Sequence, residues 1–77
     1  MATEVRTVYK EIGQRIRQRR KELKITQKDL AAAMGLTAGY IGNLERGTRT
    51  MSIEVLLMLC TELKVAPSWL LGWRIED

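Results

Sequence analysis

Apolar residues recur along this chain at the spacing of an α-helix face almost from start to finish. Val8, Ile12, Ile16 and Leu23 share one stripe of a helix expected over about Thr7–Leu23. Thr26 reads as the N-cap of a second helix, and Asp29, three residues on, completes a variant of the capping box. Leu30, Ala31 and Met34 form the inner face of that helix, and Gly35 supplies the left-handed position that ends it. Thr37 is the next N-cap, and a third helix runs to about Glu45 or Arg46, where Gly47 stops it. Ser52 caps a fourth helix through about Leu63, which is expected to turn Ile53, Leu56, Leu57, Cys60 and Leu63 inward. Pro67 suits the first position of a short fifth helix, PSWLL, closed by Gly72, with Trp69 at an inward position. Period-two alternation never persists beyond a few residues, so strands are not expected. The pattern predicts one all-α domain of five helices over 1–77, with a short tail at 73–77 that has no clear assignment.

Gly35 and Leu36 alone separate the second helix from the N-cap of the third, so the two must turn sharply on one another. Two short helices around a tight glycine turn, here over about 26–47, are the signature of a helix-turn-helix, which lays its second helix in the DNA major groove. Counting Gln27 as the first position, Ala31 falls fifth, where close crossing requires a small residue. Gly35 falls ninth, where the turn needs positive φ. Ile41 and Leu44, fifteenth and eighteenth, plug the second helix of the pair into the core.

Charge sharpens this picture. The 77 residues carry 13 Lys and Arg against 9 Asp and Glu, a formal charge of +4. Over residues 14–28, Arg15, Arg17, Arg19, Arg20, Lys21, Lys24 and Lys28 accumulate, whereas the last quarter is mildly acidic. One basic face suits a polyanion. With no histidine, a lone Cys60 inside an apolar run, no carboxylate cluster and no phosphate loop, the chain is not expected to be an enzyme or to hold a metal, cofactor or small-molecule ligand. The single cysteine and the shortness of the longest apolar run, Val55–Cys60, suggest a soluble cytoplasmic protein with no membrane partner.

The stretches IGQRIRQRR, TQKDLA, MGLT, YIGNLERG and VAPSWLL, in this order and spacing, resemble the phage repressor and Cro-like helix-turn-helix regulators, also called the xenobiotic-response-element family. The similarity covers Ile12 to Leu71. It implies a compact five-helix, lambda-repressor-like DNA-binding domain that regulates transcription, most simply as a repressor in a bacterium or phage. Gln27 looks like the family's phosphate-contacting glutamine, and Arg20 and Glu45 look like its partly buried structural ion pair. Thr37, Ala38, Gly39, Gly42 and Asn43 fall where the family reads bases, and Tyr40 and Arg46 where backbone contacts are common. Three positions depart from the family pattern: Arg19 replaces an apolar residue, Met51 a frequent proline, and Lys64 the glycine that often ends the fourth helix.

At 100° per residue, Ala38, Gly39, Gly42, Asn43 and Arg46 share the outward side of the third helix. Each glycine there costs about 1 kcal/mol of helix stability relative to alanine. Small residues would let the backbone approach base edges, with Ala38 against a thymine methyl and Asn43 pairing with adenine. Arg17, Lys24, Lys28, Arg46 and Arg49 are the expected cationic phosphate contacts on double-stranded DNA. The fourth helix is apolar nearly all round, so Val55, Met58 and Leu59, with Trp73 and Ile75 in the tail, are expected to form a homodimer interface for a pseudo-palindromic operator. The competing reading is a protein-interaction module, such as an antitoxin, with weak or autoregulatory DNA binding.

Overall fold

The computed structural model describes residues 5–73, with side chains from Thr7 onward. Five helices follow in order: α1 (Val5–Glu22), α2 (Gln27–Met34), α3 (Ala38–Arg46), α4 (Ile53–Leu63) and α5 (Pro67–Leu71). No strand occurs among the described residues.

The helix boundaries follow from local hydrogen bonds. Thr26 and Asp29 form a reciprocal capping box: the Asp29 backbone N–H donates to Thr26 Oγ1 and the Thr26 backbone N–H donates to Asp29 Oδ2, each at 3.0 Å. The Thr26 backbone N–H, and after it the Thr26 hydroxyl, hold the Asp29 carboxyl below its ordinary pKa. Thr37 accepts from the Tyr40 N–H at 3.1 Å and Ser52 from the Val55 N–H at 3.1 Å. Gly35 takes φ 68° at the end of α2, and the Leu36 N–H returns to the Ala31 carbonyl at 2.8 Å, so the chain reverses within three residues.

Ile12, Ile16, Leu30, Ala31, Met34, Ile41, Leu44, Leu56, Leu59, Cys60, Leu63 and Leu70 form one buried core shared by all five helices. Gly13 sets the closest approach within it. A Cβ there would collide with the Leu44 and Glu45 carbonyl oxygens, so a bare backbone is what lets α1 lie on the end of α3.

The fourth helix is rotated from its expected setting. Leu56, Leu59, Cys60 and Leu63 face the core, whereas Ile53 is 70% exposed and Leu57 49%. Leu59, expected on a dimer surface, is fully buried, which removes it from any interface; Met58 remains 39% exposed and Val55 is half-buried. A helix apolar on nearly every side gives little internal contrast, so the neighbours decide which sector is inside. Trp69 was expected inward and is 38% exposed. In a helix of one and a half turns a single position reaches the core, and Leu70 fills it.

Two arginines of α1 close the carboxyl ends of the last two helices. Arg19 Nε donates to the Leu63 carbonyl at 2.9 Å, and Arg15 Nη1 reaches the Leu70 carbonyl at 3.4 Å. Arg19, the departure from an apolar residue, therefore has a structural partner. It compensates at the same helix end for Lys64, which adopts φ 59° without being glycine.

Candidate nucleic-acid interface

At the end of α3 the Glu45 carboxylate binds three donors. Arg20 Nε donates to Oε2 at 2.7 Å and Arg20 Nη2 to Oε1 at 3.1 Å, while Gln27 Nε2 also donates to Oε1 at 3.1 Å. Arg20 and Glu45 are both buried, and the hydrogen bond from Arg20 to Glu45 raises the already high pKa of the guanidinium. Arg20 Nη1 continues to the Ile25 carbonyl at 2.9 Å, at the entry to α2. One carboxylate thus ties α1, the start of α2 and the end of α3 together, and it fixes the side chain of Gln27.

Gln27 opens α2, where the first backbone N–H groups have no partner inside the helix and point outward with the positive end of the helix dipole. This is the geometry that receives a phosphate. Lys28 follows it on the exposed surface. Arg17 is exposed one helical turn before Arg20, and Lys24, in the turn just past α1, is exposed with φ 60°.

At α3, the N-cap Thr37 and Gly39 are exposed, and Ala38, Tyr40 and Asn43 are half-buried. Gly42 corrects the expectation: it is buried rather than open on the outward side. A Cβ at Gly42 would lie 3.3 Å from Arg46 Nη1 and 3.6 Å from both amide atoms of Gln27, so those two side chains cover it. Gly39 is the reverse, with nothing within 4 Å of a Cβ placed there. Arg46 Nη2 donates to Asn43 Oδ1 at 2.6 Å, and Thr48 Oγ1 donates to the Asn43 backbone carbonyl at 3.1 Å. Arg49 is exposed and places its guanidinium carbon 5.5 Å from the centre of the Tyr40 ring, a cation–π contact at the N-terminal half of α3. Thr48 and the Gln27–Glu45 bond went unnoticed in the sequence; a hydroxyl directly after the terminating Gly47 was the available signal. Trp73 is 69% exposed, and Ile75 lies outside the described residues.

A capped helix, a three-residue turn and a second helix whose outward side is thinly covered and edged by arginines define a helix-turn-helix DNA-binding domain. The chain belongs to the helix-turn-helix family, whose model matches residues 16–70 and whose members are DNA-binding transcriptional regulators and not enzymes. It is 40% identical over 60 residues to the HTH-type transcriptional regulator DicA of Escherichia coli, a match covering 78% of this chain and 44% of that protein. The chain spans less than half the length of the curated relatives it matches. Among solved structures it is similar to the restriction-modification controller protein C.AhdI of Aeromonas hydrophila, with a TM-score of 0.76, 37% identity and coverage of 80% of this chain and 94% of that one. It is also similar to the P22 c2 repressor, solved in complex with a synthetic operator, with a TM-score of 0.73, 39% identity and coverage of 77% and 89%. No described helix is long and apolar enough to cross a membrane.

Proposed function

We propose that this chain binds double-stranded DNA with α3 in the major groove and regulates transcription as a homodimer. Gly39 carries the reading. It costs α3 about 1 kcal/mol relative to alanine, yet no neighbouring atom of the protein requires the missing side chain. The requirement therefore lies outside the chain, in a surface that must come close to the backbone, and base edges in the major groove are such a surface. Thr37, Ala38 and Asn43 are the side chains placed to read bases beside it. Gln27, Lys28, Tyr40, Arg46 and Arg49 contact phosphates around it, with Arg17 and Lys24 at the periphery.

The second copy would pack on the apolar surface of α4 and α5. Leu57, Met58 and Trp69 are exposed there, alongside Ile53 and Trp73, with half-buried Val55 at the edge. One copy offers few base contacts, and a two-fold axis doubles them when the reading helices stand about 34 Å apart.

The test is duplex binding against salt. Five cationic contacts per copy give a log–log slope of about −4.5 for one bound copy and about −9 for the dimer. Gly39→Ala should melt at a higher temperature than the wild type and bind a selected duplex more weakly. Salt-insensitive binding, or a Gly39→Ala variant that binds as well as the wild type, would refute the proposal. Introducing Glu at Met58 should shift sedimentation toward monomer.

A further inference from the structure

Asn43 presents the two ends of its amide unequally. Arg46 Nη2 donates to Oδ1 at 2.6 Å, and the Thr48 hydroxyl, bonded to the Asn43 backbone carbonyl, lies 3.5 Å from the same oxygen. A guanidinium carries donors only, so the atom it faces must be the amide oxygen. The bond is charge-assisted and stronger than a neutral one. It leaves the Nδ2 amino group, a donor, as the end available to a ligand. Arg46 is exposed beside it and adds donors of its own, and Gly42 places no side chain between them. The second half of the outward face of α3 is therefore rich in donors, and its one side-chain acceptor already holds a charge-assisted bond on one of its two lone pairs.

The bases distinguish themselves against such a surface. In the major groove adenine shows an acceptor and a donor, cytosine a donor, thymine an acceptor beside its methyl group, and guanine two acceptors, N7 and O6. Bidentate pairing with adenine needs Oδ1 to accept from the adenine amino group, and with Arg46 on one of its two lone pairs and the Thr48 hydroxyl 3.5 Å away that oxygen is a crowded acceptor. We propose that Arg46 is a positioning residue that holds Asn43 as a donor, so that the base read by Asn43 is guanine. This replaces the adenine expected from the residue type alone, and it rests on the reading of α3 as the DNA-contacting helix.

Selection of bound sites from random duplexes by the wild type, Asn43→Ala and Arg46→Met tests it. Asn43→Ala should relax one position of the motif, which identifies the base that Asn43 reads. Guanine there in the wild-type motif is the expected result, and replacing it with 7-deazaguanine, which lacks the N7 acceptor, should weaken binding about 10-fold. Adenine, cytosine or thymine at that position overturns the inference and leaves the DNA-binding reading intact. In Arg46→Met the freed oxygen should admit adenine beside guanine. A lost phosphate contact would weaken all sequences alike and leave the preference unmoved, so a strict guanine preference in Arg46→Met also overturns the inference. Identical motifs from the wild type and Asn43→Ala would mean that Asn43 reads no base and would overturn the inference, while leaving Thr37 and Ala38 as the readers at α3.

Discussion

In the pair α2–α3, residues within the pair or its flanking turns close the helix ends. Thr26 and Thr37 cap the amino ends, and Gly35 and Gly47 take left-handed conformations at the carboxyl ends. The pair α4–α5 is finished differently. Ser52 caps α4 and Gly72 closes α5, but Ala66 offers α5 no side-chain cap, Lys64 is forced into the left-handed region, and the carboxyl ends also receive Arg19 and Arg15 from α1. The surfaces differ in the same way. The outward side of α3 is small, polar and edged with arginines, whereas α4 and α5 expose Ile53, Leu57, Met58, Trp69, Leu71 and Trp73. A pair that closes its own ends can hold a thinly covered reading helix in place. A pair finished by another element ties α1 to the surface on which a second copy is proposed to dock.

The sharpest way to break this contrast is Arg20→Ala. Stranding the buried Glu45 carboxylate should cost about 3–5 kcal/mol, a large part of the roughly 4–12 kcal/mol expected for a chain of this size. Urea unfolding measures it; a loss below about 1 kcal/mol would mean that α3 is held by its apolar side alone. Next in size are two opposite exchanges at helix ends. Lys64→Gly should stabilise by about 1 kcal/mol by removing a left-handed lysine, and Gly35→Ala should destabilise by about the same amount. Nothing lies within 4 Å of a Cβ at Gly35, so backbone conformation alone sets that cost. Paired thermal melts would show the two shifts with opposite sign.

The smallest effect is a pH dependence. Asp29 is lowered from 3.8 by the Thr26 backbone N–H and then by the Thr26 hydroxyl. Its ionised form is therefore favoured by folding, a contribution fully present above 3.8 and lost as pH falls through the lower folded value. Unfolding at pH 7 and at pH 3 should show the advantage of the wild type over Asp29→Asn shrinking at the acid end. Because the carboxylate is fully solvated, the change should be slight beside the other two.

Much of the fold was legible because its signals are short-ranged. A threonine or serine three residues before an N–H it caps, a glycine at a helix end and a proline at a helix start each act within one turn, and all of these appear where the sequence placed them. Arg20 and Glu45 were legible only through resemblance, since 25 residues separate them. The orientation of α4 was not legible. Val55, Leu56, Leu57, Met58 and Leu59 are all apolar, so periodicity could not say whether Leu57 or Leu59 faces the core.

The sequence alone determined five helices, their caps, the turn between α2 and α3 and the basic character of the chain, because each depends on neighbours a few residues away or on composition. Only the tertiary structure decided that Leu59 is buried and Leu57 exposed, that Gln27 and Arg46 cover Gly42 while Gly39 stays open, and that Arg15 and Arg19 serve helix ends. Those outcomes depend on which surfaces α1 brings against α3, α4 and α5. Burial of a shared core and the fixed reach of a guanidinium set them, and neither is written in the spacing of residues along one helix.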